Sequence, residues 1–550
     1  MSGLTGISSL EAAQQPGRSR RTGQAADRGR RRTGRRGWLL VAALALAWSV
    51  ADLLGSGRPL LNPAGLPLLG AFWSAAARPD LSAAALRATA EAALTTVAFA
   101  VLGSALALVL GAAAAVPMSQ TWWAPAGGRR PARAAATAGL LATRVAAGLP
   151  RGVHEAVWGL LLVSVLGRDP LVGVLAIALP FGAITAKVYS EIIDEADHGP
   201  HDAFRAAGAG RLTALCYGIV PSTLSSLTSY AFYRFECSIR AAVILGLIGA
   251  GGLGFQLSLS FQGLQYDQMW TSLYALVVLS AAVDGWGAWL RRGSSPVRGR
   301  LSAVLAALLA GASVWHLAPE ASRWSSARTW RLLVELLDDV TPLRLPREGW
   351  PGLLAGAVET LQMSVVAAAL ATALGVAVAF VAARGATSPW GRGAGWLARS
   401  LLLVTRAVPP PVWALLVLFV VLPGPLPGAL ALGIYTFGIL GRLFAEVVEN
   451  LDGRPRDALV RQGAPPLTSF AYAVVPAAAG QFASLSLYRW EVAVRETVIV
   501  GLVGAGGLGR MLEQQRVAFD LPAMATTVLT LVALSLLVDA ASIGIRRSLR

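Results

Sequence analysis

The 550-residue sequence has little charge, a single lysine, two cysteines and four histidines. Charged residues make up 14% of the chain, whereas a soluble globular protein has about 25%. The hydrophobic fraction is 55% and the mean hydropathy is +0.58. Because so few charges do not cover the surface of several soluble domains, the composition argues against a cytosolic enzyme, a nucleic-acid-binding protein and a disordered chain. It indicates a polytopic helical membrane protein with small loops.

The net charge of +17 therefore does not predict a nucleic-acid partner. Lys187 is the only lysine, and the arginines are frequent in residues 1–37 and in short loops. We interpret residues 1–37 as a disordered basic cytoplasmic tail, and part of the remaining excess as the positive-inside signal. Cys216 and Cys237 match no disulfide or zinc spacing, and the histidines form no metal pattern, so neither a metal nor a cofactor is predicted.

Apolar segments long enough to cross a bilayer recur along the whole chain. The twelve predicted spans are 38–55, 88–115, 136–166, 171–190, 222–248, 269–290, 301–318, 357–383, 399–423, 427–446, 477–503 and 524–545. The segment after every second span is rich in arginine, which predicts that these segments and both termini are cytoplasmic. The long third span of each set of six is expected to break near its Pro or Gly residues. The predicted fold is an all-α, multi-pass inner-membrane protein of about 12 transmembrane helices.

The two sets of six spans are copies of each other. From Tyr233 to Gly254, 14 of 22 positions are identical to Tyr488–Gly509, at an offset of 255. Upstream we predict an offset of 268, which pairs Thr96 with Ser364 and leaves 13 extra residues in the second half. Because each half has an even number of spans, the halves insert in the same orientation, as two parallel six-helix repeats about an axis along the membrane normal. The predicted repeats are residues 38–298 and 299–550.

One motif recurs in the loop after the fourth span of each half. It contains an acidic residue followed by alanine, a glycine six positions after the acid, and a proline thirteen positions after the glycine. The two copies are Asp202, Ala203, Gly208 and Pro221, and Asp457, Ala458, Gly463 and Pro476. Glycine commonly ends a helix and proline commonly begins one, so the motif predicts a two-helix projection on the cytoplasmic side. The alternative is an ordinary helical loop.

Three charged residues interrupt one apolar span in each half. They are Arg234, Glu236 and Arg240 in the first half, and Arg489, Glu491 and Arg495 in the second. Each would cost roughly 2.5–3.5 kcal/mol at the centre of a bilayer, so these residues must face protein or water. The glutamate and the second arginine of each set share a helix face, which leaves Arg234 and Arg489 in excess. This excess suits an anionic substrate beside a pathway; the alternative is an ion-pair network that braces the bundle.

Two familiar nucleotide motifs are excluded. The glycines after these charges spell G-x-G-x-x-G at 249–254 and at 504–509, but they follow a membrane span rather than a strand, so we interpret them as a bend or a close helix contact. No G-x-x-x-x-G-K-[ST] sequence occurs, so the chain cannot supply an ATPase site of that kind. No nucleophile, base or metal constellation predicts an enzyme.

The repeated loop resembles the coupling loop of ABC importer permeases. The charged segments and glycine clusters, together with Arg151, Glu155 and Trp158, resemble the phosphonate-type permeases of that class. Two departures are that Asp202 and Asp457 replace the usual glutamate, and that two prolines follow Gly463. The second departure predicts a stiffer or shorter coupling helix in the second half.

The resemblance implies two fused permease units with the type I importer fold, also called MetI-like. It implies that the chain carries phosphonate-, phosphate- or phosphite-like oxyanions, and that an extracytoplasmic binding protein delivers them. Two copies of a separate cytoplasmic ABC ATPase would bind the coupling loops, and membrane lipid would surround the bundle. The alternative is a twelve-span secondary transporter with duplicated halves. The coupling-loop spacing argues against that alternative, because a secondary transporter has no ATPase to bind.

Overall fold

The structure, a computed structural model, describes residues 37–38, 40–55, 60–123, 130–167, 169–291, 296–317, 327–383 and 389–549. Across these ranges the chain is helical, and the only strand-like contact is an isolated antiparallel bridge between Leu61 and Val421. The tail predicted at 1–37 lies outside the described residues except for Gly37. The all-helical composition agrees with the predicted fold class.

The helices of the first half are α1 (Leu40–Leu54), α2 (Leu66–Ala75), α3 (Ala83–Met118), α4 (Gln120–Trp123), α5 (Arg130–Gly152), α6 (Glu155–Leu166), α7 (Pro170–Asp194), α8 (Gly199–Ala206), α9 (Arg211–Gly218), α10 (Val220–Leu245), α11 (Gly252–Gln262) and α12 (Tyr266–Arg291). Those of the second half are α13 (Pro296–Leu317), α14 (Ala327–Val340), α15 (Gly349–Ala382), α16 (Pro389–Ala407), α17 (Pro410–Val420), α18 (Pro425–Glu449), α19 (Arg454–Arg461), α20 (Pro466–Ser469), α21 (Val475–Leu502), α22 (Gly507–Val517) and α23 (Leu521–Leu549). Short π-helical turns, Gly246–Ala250 and Phe470–Val474, join α10 to α11 and α20 to α21.

Each of the twelve predicted spans corresponds to a helix or a pair of helices, but fewer than twelve are continuous spans. Among the described residues, eight helices are long and apolar enough to cross a membrane, and ten if two bent pairs each count as one span. The helix α1 is apolar but shorter. The remaining predicted span, 136–166, is divided between α5, which carries several arginines, and the 12-residue α6.

The third span of each half is broken, as the sequence predicts. In the second half, α16 and α17 meet at 94°. Pro409 occupies the N-cap position of α17 and Pro410 begins it, and a proline at that position cannot donate a hydrogen bond to the preceding helix. In the first half, the break falls at His154, whose Nδ1 accepts from the backbone N–H of Ala156 at 3.2 Å and so caps α6.

Each half is built around one long parallel helix pair, α3 with α7 and α15 with α18. Small residues permit the close approach: a Cβ added at Gly103 would meet Ile177, and one added at Gly375 would meet the backbone of Gly441. The buried residues Phe99, Ile177 and Leu245 belong to one hydrophobic core in the first half. Small-residue packing of this kind is typical of helices inside a membrane, where burial alone does not drive association.

The structure corrects the predicted alignment of the two halves in this region. Thr96 accepts a hydrogen bond through Oγ1 from the backbone N–H of Leu253 at 2.8 Å, and Thr360 accepts the equivalent bond from Leu508 at 2.9 Å. Thr96 is therefore equivalent to Thr360, an offset of 264, and the prediction that it matches Ser364 at an offset of 268 is wrong. The buried positions of α3 and α15 also coincide at 264, so the second half carries nine additional residues rather than 13. The error arose because the alanine-rich sequences of α3 and α15 offer few distinctive residues for alignment.

The first helix of each half packs against the other half. The helix α13 lies along α3, where His316 Nε2 and Thr95 Oγ1 are 3.0 Å apart. In the pseudo-equivalent contact, Leu53 of α1 packs near Met363 of α15, and Asp52 accepts a hydrogen bond from Gln362 Nε2 at 2.9 Å. Near these helices, the backbone N–H of Asn62 donates to the carbonyl of Val420 at 2.7 Å. These exchanged contacts join the two halves into one bundle.

Candidate functional site

Both predicted coupling motifs form short helices at the same end of the bundle, which we call the loop end (residues 195–219 and 450–474). The helices α8 and α19 each contain eight residues and carry their aspartate, Asp202 or Asp457, in the first turn. The alanines that follow, Ala203 and Ala458, are exposed, and none of the residues of α19 is buried. The second coupling helix is therefore as long as the first. The prediction that it could be shorter is wrong.

The motif glycines end these helices with a left-handed residue. Gly208 has φ +89° and Gly463 has φ +82°. Behind each glycine the next residue, Ala209 or Ala464, donates its backbone N–H to the carbonyl five residues earlier at 3.0 Å, while the glycine itself donates to the carbonyl three residues earlier. This is the Schellman arrangement, in which a residue with positive φ is required and glycine has the lowest cost.

The two loops differ after the glycine. In the first half α9 ends at Gly218, and Ile219, with φ −110°, separates it from α10. In the second half α20 continues through the π-helical turn into α21, without such a break. Pro221 and Pro476 both stand in the first turn of the membrane helix that follows. The two prolines after Gly463 therefore change the connection to the membrane helix rather than the coupling helix itself.

Asp194, at the end of α7, holds the base of the first coupling loop. Its carboxylate accepts hydrogen bonds from Ser119 Oγ at 2.5 Å and from the backbone N–H groups of Gln120 and Thr121 at 3.0 and 3.2 Å. Arg144 lies 3.6 Å from the same carboxylate. Because Asp194 precedes the coupling helix by only a few residues, these bonds fix the loop to α4 and α5.

A second arginine occupies the equivalent place in the second half. Arg144 Nε donates to the carbonyl of Met118 at 3.2 Å, and Arg399 Nε donates to that of Ala382 at 2.7 Å. Arg399 also lies 3.9 Å from Glu449, the last residue of α18. The sequence analysis did not single out these residues, although Arg144 and Arg399 recur at the offset of 255.

We expect Asp194→Asn to loosen the first coupling loop. The substitution removes the charge from several hydrogen bonds, each of which is worth about 1.5–3 kcal/mol when one partner is ionised. Backbone amides of residues 195–219 should then exchange faster with deuterium. Exchange in residues 450–474 is the internal control and should not change, because the contacts of Asp194 described above lie within the first half. Unchanged exchange in the first loop would contradict the anchoring role.

Within the membrane helices, Glu236 belongs to an ion-pair cluster that crosses between the halves. Arg406, at the end of α16, donates to Glu236 at 2.8 Å and also pairs with Asp284 of α12. Arg442 of α18 lies 3.4 Å from Asp284 and bonds Glu446 at 2.9 Å. Arg240, the partner predicted for Glu236 on its own helix, is 3.7 Å away. We call these six residues the closed cluster.

The pseudo-equivalent residues of the other side form a looser arrangement. Glu491 pairs with Arg546 of α23 at 2.6 Å, not with Arg495 on its own helix. Arg495 instead donates to the backbone carbonyl of Arg151 at 3.3 Å. Arg151, which is equivalent to Arg406, lies within electrostatic range of Asp539 and Glu491 but forms no ion pair among the described residues. The two halves therefore hold equivalent charges in unequal arrangements.

The remaining arginines, Arg234 and Arg489, are 7% exposed and lie in unlike surroundings. The guanidinium of Arg234 stacks on the ring of Phe181, with its carbon 3.9 Å from the ring centroid. Its Nε and Nη2 atoms are buried and have no hydrogen-bond partner among the described residues. Arg489 Nη2 is paired with Glu496, one further residue on α21, at 3.1 Å.

The two charged helices face each other across the pseudo-two-fold axis. Tyr233 of α10 and Tyr488 of α21 interact electrostatically, and each side chain is 44% exposed. Toward the end of the bundle that carries residues 246–254 and 501–509, which we call the glycine end, Ile244 and Ile499 pack together with Ala156. On the glycine side of the tyrosines, apolar side chains of the two halves are therefore in contact.

The sequence analysis missed the partners that complete these charge clusters. Arg406, Asp284, Arg442 and Arg546 recur at the 255 offset, but nothing in the linear pattern shows which carboxylate each one reaches. Glu496 breaks the repeat, because its counterpart is Ala241. This difference between the copies was the available signal.

An all-helical membrane bundle in two parallel halves, each with a capped exposed helix at one end, defines an integral membrane component of a transport system. Residues 144–295 and 375–550 match the family described as "Binding-protein-dependent transport system inner membrane component". The chain belongs to this family, and the match falls once in each half. Members of this family are transport permeases rather than enzymes.

Two relatives and one solved structure illustrate the similarity. The chain is 32% identical over 370 residues to the "Phosphate-import permease protein PhnE" of Mycolicibacterium smegmatis, covering 66% of this chain and 69% of the relative. It is 37% identical over 199 residues to the "Phosphite transport system permease protein PtxC" of Stutzerimonas stutzeri, covering 36% of this chain and 72% of the relative. A chain from a structure of the MetNI methionine ABC transporter in inward-facing conformations aligns with TM-score 0.34 and 20% identity, over 36% of this chain and 96% of that one.

Proposed function

We propose that this chain is the complete membrane unit of an ABC importer for phosphate-, phosphite- or phosphonate-like oxyanions. The duplicated coupling helices carry the proposal: both are eight residues long, both end in the same Schellman glycine, and both project from one end of the bundle. Two relatives named for phosphate and phosphite transport support the substrate class. Both permease halves are then supplied by one polypeptide.

The loop end is the proposed binding surface for two copies of a separate cytoplasmic ATPase. The 550 residues contain no Walker A sequence, and the proposal therefore places ATP hydrolysis on a separate protein. Exposed aromatic and aliphatic side chains flank both coupling helices: Phe204 and Tyr217 in the first half, and Leu467 and Tyr472 in the second. Exposed apolar groups of this kind favour contact with a protein partner. ATP-driven closure of the ATPase pair would push the two coupling helices together.

The loop end is proposed to be cytoplasmic, together with both chain termini. The arginine-rich segments lie at this end, as the positive-inside rule requires. The glycine end then faces the extracytoplasmic side, where a binding protein would deliver substrate. Because Ile244 of α10 and Ile499 of α21 are in contact on the glycine side, the structure corresponds in this proposal to a state closed toward the binding protein.

The charges predicted as pathway or bracing residues divide between these two roles. Glu236, Glu491 and Arg495 contact side chains or backbone of neighbouring helices, and Arg240 pairs with Glu236 on its own helix, which supports a bracing role. Arg489 is paired with Glu496, which also supports bracing, whereas the unpartnered Nε and Nη2 atoms of Arg234 support a pathway role. A guanidinium beside a pathway lowers the cost of bringing an anion into the membrane interior.

Uptake by reconstituted vesicles tests the proposed function. Vesicles that contain this chain, its ATPase and its binding protein should accumulate phosphate, phosphite or methylphosphonate only when ATP is available to the ATPase. Omission of the ATPase should abolish accumulation, and sulfate or an amino acid should not replace the substrate. Accumulation driven by an ion gradient without the ATPase would contradict the proposal and indicate a secondary transporter.

A further inference from the structure

The repeat makes Arg234 and Arg489 equivalent in sequence, but their electrostatic surroundings differ. Arg489 is neutralised on its own helix by Glu496, two turns further along. At the position equivalent to Glu496 the first half has Ala241, which is buried. Arg234, in contrast, forms no ion pair with a carboxylate of the described residues, and its Nε and Nη2 atoms have no hydrogen-bond partner among them.

One hydrogen-bonding edge of the Arg234 guanidinium has no acceptor among the described residues. Nε and Nη2 form the side-on edge through which arginine donates two parallel hydrogen bonds to an oxyanion, and neither atom has an acceptor among the described residues. On Arg489, Glu496 occupies half of the same edge through Nη2. Phe181 covers the face of the Arg234 guanidinium at 3.9 Å and so orients its plane.

The depth of Arg234 places this edge inside the membrane. The residue stands fourteen positions after the first residue of α10, about 21 Å along the helix axis. A buried guanidinium whose N–H groups have no acceptor raises the free energy of the folded protein unless an anion binds to it. Tyr233, the residue before Arg234, is 44% exposed, so accessible surface of α10 lies next to the guanidinium from which such an anion would approach.

We infer that Arg234 is the anion-binding guanidinium of the translocation pathway, and that it takes a phosphorus oxyanion against its Nε and Nη2 atoms, whereas Arg489 is neutralised by Glu496 and does not bind substrate. This inference rests on the proposed function, because it assigns the site to the same oxyanions. It makes the pathway asymmetric: two halves of one repeated sequence provide one anion site. Ala241 is then a specificity determinant, because an acid there would fill the role that Glu496 has in the other half.

Cys237 provides a readout that requires neither ATPase nor binding protein. It lies one turn after Arg234 on α10, is partly accessible, and is one of only two cysteines in the chain. In the full-length Cys216→Ser chain in lipid nanodiscs, Cys237 is the only thiol that reacts with the neutral reagent N-ethylmaleimide. We expect phosphate, phosphite or methylphosphonate to slow this reaction, and chloride at equal ionic strength to leave it unchanged.

Variants of both halves then separate the two arginines. Arg234→Gln and Ala241→Glu should each raise the anion concentration for half-maximal protection by roughly 10- to 100-fold. Arg234→Lys should retain part of the protection, because it keeps the charge but loses the fork. The double variant Arg489→Gln with Glu496→Gln removes the equivalent guanidinium together with its counter-ion. In this variant we expect the anions to protect Cys237 as they do in the parent.

Protection that survives both Arg234→Gln and Ala241→Glu would overturn the inference, as would equal loss in the Arg489→Gln, Glu496→Gln double variant. Folding is checked by monodisperse elution in detergent, and Ala241→Glu retains Arg234 itself, so the two variants test the site independently. Protection without ATP-driven uptake would refute the proposed function and leave the anion site standing. ATP-driven uptake with no anion protection of Cys237 would refute the site alone.

Discussion

Replacing Arg406 with methionine is expected to destabilise the folded protein by about 3 kcal/mol or more. Arg406 is the shared partner of Glu236 and Asp284, and its side chain is only 10% exposed. Removing one member of a buried ion pair leaves an uncompensated charge, which typically costs about 3–5 kcal/mol. Arg442 still faces Asp284 at 3.4 Å, so we expect the lower part of this range. The free energy of unfolding in mixed micelles is the measurement.

The looser, pseudo-equivalent charge arrangement offers a matched control. Arg151→Met changes the pseudo-equivalent arginine, which has no ion pair among the described residues, and should cost about 1 kcal/mol or less. Because Arg406 joins α16 to α10 and α12, its loss should also weaken the contact between the halves, and ATP-driven uptake should fall with stability. Equal destabilisation by the two substitutions would show that the difference between the closed cluster and its counterpart has no energetic consequence.

Substituting valine for both Gly208 and Gly463 is expected to abolish ATP-driven uptake while the protein still inserts and folds in the membrane. The two glycines have φ values of +89° and +82°, and a Cβ added at either would meet nothing within 4 Å. The penalty is therefore conformational rather than steric. A left-handed backbone costs a non-glycine residue about 1–2 kcal/mol and a β-branched residue more. The Schellman turn should open, and the coupling helix should lose its fixed end.

The measurement is the ratio of transported substrate to hydrolysed ATP in reconstituted vesicles. We expect ATP hydrolysis to continue and uptake to fall to background. Gly453, which lies near the start of α19 without positive φ, is the control position, and Gly453→Val should retain most of the coupling. Single substitutions at Gly208 and at Gly463 then show whether the two loops contribute equally. A double variant that couples normally would refute the role of the glycine turns.

Local patterns in the sequence were sufficient for the helices and for the coupling motif. Long apolar segments form helices in a membrane because every backbone group must be bonded within the segment. The sequence also predicted that the third span of each half breaks near its Pro or Gly residues, and in the second half the break falls at Pro409. The spacing of acid, glycine and proline located the two short helices of the repeated loop. The span count was less successful, since the segment 136–166 combines an arginine-bearing helix with a 12-residue one.

Long-range partners were beyond this reasoning. Glu236 and Arg240 do stand four apart, yet the nearer partner of Glu236 is Arg406, 170 residues away. Glu491 likewise reaches Arg546 rather than Arg495. The offset at Thr96 was misjudged for a related reason: identity between alanine-rich helices is ambiguous, while the hydrogen bond to Leu253 is not.

By itself, the sequence determined that this protein is a duplicated, all-helical membrane protein with a repeated acid–glycine–proline motif in its loops, because segment length, apolar content and turn residues act over a few neighbouring positions. Only the tertiary structure decided which charges pair, that α1 and α13 pack against the opposite halves, and that Arg234 alone keeps a vacant donor edge among the described residues. The physical reason is that an ion pair depends on the rotation and crossing of separate helices. Two copies of one repeated sequence can therefore hold equivalent arginines in unlike electrostatic environments.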